Sequence, residues 1–274
     1  MTAPTLTQFT SGFPWVEVFL GSGDVDASTV TLRYYRYSEG RIWLLRGGVD
    51  VAPDVAVLDF GCPPGVQATY RAEQFDVAGV SLGFTDSAST TLNVSGTWVH
   101  NPLDPSNGVA VELDMDTSYE HVRPTPGDLV HPEGAGLPRR IGVPRHGVED
   151  LPIVLNLDDQ ATYEAFDALL GSYATQQIGI LCLRTSEPVL WPRTFYISSP
   201  QFRARDNTYR YGGQWMQFVA SVTEVEPPYP GLSTPLLTTD DLDAAYDDTD
   251  LRDAAYSTTT EMDRDYSLAG LASQ

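Results

Sequence analysis

Through the first 97 residues, apolar side chains alternate with polar ones in short runs bounded by turn-forming residues. Trp15-Val-Glu-Val-Phe-Leu20 and Val30-Thr-Leu-Arg-Tyr-Tyr-Arg-Tyr37 both show a period of two, and Gly21-Ser-Gly-Asp24 and Ser38-Glu-Gly40 close them. Arg41–Arg46, Val55–Phe60, Val66–Glu73, Val80–Phe84 and Thr90–Val94 repeat the pattern. Seven short strands at this spacing predict a β-sandwich over residues 1–97. The turn Pro63-Pro64-Gly65 precedes the strand carrying Tyr70. Immunoglobulin-like and fibronectin type III sandwiches have such a turn, with a tyrosine that hydrogen-bonds back across the corner. An ordinary hairpin with an exposed Tyr70 is the alternative.

Thr97-Trp98-Val-His-Asn-Pro102-Leu-Asp-Pro105 reads as a strand end at a domain boundary, because each proline holds the residue before it extended. From 104 to 149 the pattern is that of a long loop, interrupted by Pro124, Pro126, Pro132, Pro138 and Pro144. In an assembly protein, such a loop suits an arm that orders on a neighbour. Leu151–Leu157, Ile178–Leu183, Thr194–Ser198 and Gln214–Val222 then read as strands around one helix. Asp158 or Asp159 can cap that helix, and Gly171 can end it. Tyr163, Phe166, Leu169 and Leu170 share its apolar face. The expectation is a mainly β chain: a sandwich at 1–97, an α+β domain at 98–228, and an extended acidic tail at 229–274.

The tail begins after the stiff Pro227-Pro-Tyr-Pro230 segment. Tyr246, Tyr256 and Tyr266 recur every ten residues, preceded by Leu242, Leu251 and Met262. Between 240 and 265 ten acids face two arginines, a local charge of −8. Such a segment buries too little apolar surface to fold alone, and its spaced anchors suit docking on a partner, as short helical turns.

The whole chain of 274 residues carries a formal charge of −21, which disfavours nucleic acid and anionic membranes as partners. No run of about 18 apolar residues predicts a membrane-spanning helix. The N-terminus lacks the basic and apolar regions of a signal peptide. Every basic residue is arginine, a skew expected of a high-GC genome. Arg139, Arg140 and Arg145 form a local basic cluster suited to an acidic neighbour, such as the tail of an adjacent copy. Cys62 and Cys182 are expected as buried free thiols.

The sequence offers no catalytic set, metal motif or cofactor loop. His100, His121, His131 and His146 lack helical ligand spacing. Asp24-Val-Asp26 and Asp114-Met-Asp116 alternate as in a calcium loop but lack its glycine and its bidentate glutamate. Neither an enzyme nor a cofactor is expected.

Three features resemble a family of minor tail proteins from phages of actinobacteria. They are Val57-Leu-Asp-Phe-Gly-Cys-Pro-Pro-Gly-Val-Gln-Ala-Thr-Tyr70, the boundary Trp98–Pro105, and the Thr/Asp-Leu/Tyr repeat of the tail. The resemblance implies a structural virion protein at the tail tip or distal tail. It also implies a homo-oligomeric ring and contacts with tail tube, tail-tip and baseplate hub subunits. By looser analogy, the second domain resembles the split barrel of tail tube proteins. A sandwich with aromatic loops also suits a peripheral module binding host cell-wall glycan, through Trp43, Tyr34, Tyr35 and Tyr37.

Overall fold

The computed structural model describes residues 2–118, 120–134, 136–171, 177–199, 201–206, 215–228, 239–246, 248–256, 258–259 and 262. The chain is mainly β and divides into two compact units. One comprises residues 1–93, 100–108 and 228–274; the other comprises 94–99 and 109–227.

The first unit holds eight strands in two sheets. β1 (Thr5–Phe9), β2 (Trp15–Phe19) and β5 (Val57–Asp59) form one, in the order β1-β2-β5. β3 (Thr31–Ser38), β4 (Arg41–Leu44), β6 (Gln67–Phe75) and β7 (Ser81–Phe84) form the other, in the order β4-β3-β6-β7. A further strand, β8 (Ala88–Thr91), also pairs with β6. The chain therefore passes between the sheets after β2, after β4 and after β5.

The period of two explains the burial. Leu32, Tyr34, Arg36 and Ser38 are buried on β3; Ala68, Tyr70, Ala72 and Gln74 are buried on β6. The register sets Leu32 opposite Gln74, Tyr34 opposite Ala72 and Arg36 opposite Tyr70, so one face of both strands is sealed. A fully buried leucine such as Leu32 contributes roughly 1.5–3 kcal/mol. At the turn into β6, Gly65 has φ of 67° and donates its N–H to the Leu92 carbonyl at 2.9 Å. Pro64 bridges to the same Leu92. Residues 100–108 also belong to this unit: the Phe13 ring fills the space where a Cβ of Gly108 would stand.

A closed six-stranded barrel follows. Its strands are β9 (Thr97–Asn101), β10 (Asp104–Leu113), β13 (Leu151–Leu157), β14 (Leu181–Thr185), β15 (Thr194–Ser198) and β17 (Met216–Glu224), in the order β13-β10-β9-β14-β15-β17. Seven antiparallel rungs between β13 and β17, from Leu151↔Val222 to Leu157↔Met216, close the ring. A short strand, β16 (Arg203–Asp206), also pairs with β17, antiparallel along Met216–Val219. Leu151, Ile153, Leu155, Leu183, Phe195, Phe218 and Val222 belong to its core.

The helix α1 (Gln160–Leu170) contributes Phe166 and Leu169 to the same cluster. Asp159 caps it, accepting from the Thr162 N–H at 2.7 Å, and Gly171 ends it at φ 85°. Tyr163 stacks on Phe218 at 5.2 Å, and Phe166 lies 4.5 Å from the same ring.

The stretch 104–149 is not the loop expected. Its first ten residues are β10, whose Val109, Val111 and Leu113 enter the barrel core. Within the remainder, β11 (Gly127–Val130) and β12 (Arg139–Gly142) form a hairpin. The acidic tail, expected as an extended segment with short helical turns, contains two short helices. They are α2 (Thr239–Ala245) and α3 (Thr249–Ala255), in which Ala244-Ala245 and Ala254-Ala255 favour helix, and Asp248 caps α3. Cys62 and Cys182 are separate buried thiols, one in each unit. Among the described residues no helix is long and apolar enough to cross a membrane.

Candidate functional site

The hairpin is the element that serves its own fold least. Its root is a short ladder: Glu149 N–H to the Val122 carbonyl at 2.8 Å, His146 N–H to Pro124 at 2.8 Å, and Val143 N–H to Pro126 at 3.2 Å. The β11–β12 rungs continue it from Gly127↔Gly142 to Val130↔Arg139. Both glycines at the first rung are required by close approach. A Cβ on Gly127 would stand 2.7 Å from the Ile141 carbonyl, and one on Gly142 would stand 2.8 Å from the Cα of Gly127.

Beyond the root, every residue of both strands is exposed. Directly opposed residues share a face, so Leu129 lies with Arg140 on one side, and Asp128, Val130, Arg139 and Ile141 lie on the other. Leu129 is 64% exposed, Ile141 63% and Leu137 80%. An isolated two-stranded ribbon is marginal in water, and apolar groups clustered on such a ribbon mark an interaction surface. Arg140 donates to the carbonyls of Thr125 and Pro126, which ties its guanidinium across the ribbon. Arg139 and Arg145 are exposed, and among the described residues their side chains form no hydrogen bond or ion pair.

A latch holds the root to the barrel. Glu224, at the end of β17, accepts the Val148 N–H at 2.9 Å and donates its own N–H to the Val148 carbonyl at 2.7 Å. A Cβ on Gly147 would lie 2.7 Å from the Glu224 carboxylate, so only glycine fits there without displacing the latch.

The tail residues divide. Leu242 is buried at 5% exposure, whereas Leu251 is 60% exposed on α3. Tyr246 and Tyr256 meet edge to face at 5.8 Å, with their hydroxyls 3.0 Å apart. Met262 is half-buried, and Tyr266 lies outside the described residues.

Between the two sheets of the first unit lies a buried polar bridge. One Arg36 Nη donates to both carboxylate oxygens of Asp59, at 2.8 and 2.7 Å, and its Nε donates to Ser38 at 3.2 Å. Tyr70 donates its hydroxyl to the same carboxylate at 2.8 Å, and the Gly61 N–H also reaches it. Burial, then the nearby Asp59 charge, pushes the Tyr70 hydroxyl far above its ordinary pKa. The sequence reading missed Arg36 and Asp59 as partners. The available signal was Arg36 standing at an inward position of the Leu32, Tyr34, Arg36, Ser38 alternation.

The other candidates resolve locally. Asp24 accepts from the Gly21 N–H, Asp26 from the Ser28 N–H and hydroxyl, and Asp114 from the Asp116 N–H, so these acids close their own turns. Among the described residues no three His, Cys, Asp or Glu side chains cluster to hold a metal. His100 is buried edge-on against Phe13. Of the four aromatics considered for glycan, Tyr34 is core. Trp43 sits opposite Arg36 on the inward side. Tyr35 and Tyr37 face outward, Tyr37 at 53% exposure beside Ile42. Trp98 is buried on β9. No family model, curated protein or solved structure matches this chain.

Proposed function

We propose that this chain is a structural subunit of a phage tail, at or near the tail tip, acting by assembly and not by catalysis. The observation that carries the reading is the exposed hairpin with Leu129, Leu137 and Ile141 turned to solvent. Such groups gain by burial against a neighbour, and a closed barrel gives the ribbon a rigid mount. The resemblance to minor tail proteins supplies the setting: other tail proteins as partners and the virion as location.

The first unit, in this reading, is an immunoglobulin-like or fibronectin type III sandwich. Its two sheets, its three crossings between them and its Tyr70 after the Pro64-Gly65 turn support that assignment. Tyr70 departs from the usual corner by bonding a carboxylate in place of backbone. The barrel with its packed helix is the counterpart of the tail tube module.

Light scattering on the full chain is the direct test. A defined oligomer, lost on Leu129→Ser with Ile141→Ser, is expected. Gold-labelled antibodies against the chain should also decorate the tails of the encoding phage; an unlabelled tail would overturn the placement.

A second reading, a glycan-binding module, rests on Tyr37, Tyr35 and Phe84 on the outer face of the second sheet. Tyr35 and Phe84 stand 5.9 Å apart. A glycan array without signal removes it.

A further inference from the structure

We propose that the arginine-bearing second strand of the hairpin and its flanks, residues 137–145, receive the acidic tail helices of a second copy of this chain, an inference that rests on the assembly reading above. Charge selects the partner. The chain carries −21, and residues 137–145 hold Arg139, Arg140 and Arg145 with no acid. That run is +3, leaving −24 on the rest. Two copies approaching at random therefore repel one another, and a stable contact between them needs an oppositely signed pair of patches.

The chain supplies both members of such a pair. The cations are exposed, and Arg139 and Arg145 are unengaged among the described residues. By contrast, Arg36 is sealed against Asp59, and Arg33 is paired with Asp50 at 3.0 Å. The anionic member is the segment 240–265, at −8. Asp250 and Asp253 flank the exposed Leu251 in the sequence of α3, and Arg139 shares the hairpin face of the exposed Ile141. Each segment carries a large exposed apolar group together with a net charge, +3 over 137–145 and −8 over 240–265, and the net charges are opposite. Closing the two together covers both apolar groups and places guanidinium forks against carboxylates, the pairing that arginine makes best. Leu242 is buried within its own chain, whereas Asp250 and Asp253 of α3 are exposed.

The test exchanges the charges in the full-length chain and uses sedimentation velocity. One variant carries Arg139→Glu, Arg140→Glu and Arg145→Glu. A second carries Asp247→Lys, Asp250→Lys and Asp253→Lys. Circular dichroism of each should overlay that of the parent. The parent should self-associate, and each variant alone should do so at least about tenfold more weakly. An equimolar mixture of the two should recover association between unlike chains, read by a fluorophore on one of them. If either variant associates as tightly as the parent, or the mixture does not recover, the hairpin–tail pairing is overturned while the assembly reading stands. If a single chain carrying both exchanges recovers and the mixture does not, the contact lies within one chain and the inference falls. A parent that stays a single chain at every concentration overturns both.

Discussion

Tyr70 on β6 and Asp59 on β5 belong to different sheets, and a 2.8 Å hydrogen bond joins them. Arg36 reaches the same carboxylate from β3, so one acid gathers two strands of the facing sheet. Antibody domains place a disulfide between their sheets; the first unit joins its two sheets with an ion pair and a phenol.

Removing the members of this bridge should have unequal effects. Tyr70→Phe deletes one hydrogen bond and leaves Asp59 satisfied by Arg36 and Gly61, at about 1–3 kcal/mol. Asp59→Ala strands a buried guanidinium and should cost about 3–5 kcal/mol. Urea unfolding monitored by tryptophan fluorescence measures both. Equal losses would contradict the bridge as described.

Alkaline pH should loosen the same unit. The hydroxyls of Tyr34 and Tyr70 are pushed above the ordinary tyrosine value of 10.0 by burial, so the folded chain holds protons that the unfolded chain releases. Their contribution is complete below pH 10 and declines as pH rises above it toward the folded values. Thermal midpoints should therefore fall in that window. Tyr70→Phe, which cannot ionise, should flatten the decline relative to its own midpoint at neutral pH.

Gly147→Ala should disturb the hairpin root before the barrel. The added methyl meets the Glu224 side chain at 2.7–3.1 Å and displaces the carboxylate that holds the Val148 N–H. Faster amide exchange at Val148 and Glu149, with unchanged protection on β13, is the expected outcome. Uniform loss across the barrel would show the latch to be part of the global fold.

Leu129→Ser and Ile141→Ser should leave folding stability within about 0.5 kcal/mol, since both side chains are already in water. Any larger change in the monomer would mean that the ribbon packs more tightly than its exposure indicates. Calorimetry at low protein concentration decides it.

The helix was legible in full, because a cap at Asp159, a stripe of Tyr163, Phe166 and Leu169, and a stop at Gly171 all act within a dozen residues. Most strands of the first unit were legible for the same reason, their period being local. β10 was hidden by Pro105, which read as a break although Val109, Val111 and Leu113 alternate behind it. Gly108 is glycine because Phe13 occupies its side-chain space, a reason that no local pattern carries. The barrel entered only through the looser analogy with tail tube proteins, since no local pattern shows its closure: β13 pairs with a strand some sixty residues later. Of the site residues, Arg139, Arg140 and Arg145 stood out as a charge cluster, but the ribbon that displays them did not, since prolines at 124, 126, 138 and 144 masked its rungs.

The rungs that close the barrel also set a clock. Leu157 must wait for Met216, and Leu151 for Val222, which are 59 and 71 residues further along. At roughly 5–20 residues per second of synthesis, β13 spends several seconds on the ribosome before β17 exists to cover it. The tail helices follow β17, so they emerge only after every barrel strand has been made. A contact made through the tail is thus open only to chains that already possess all their strands, and unfinished chains are left out of the assembly.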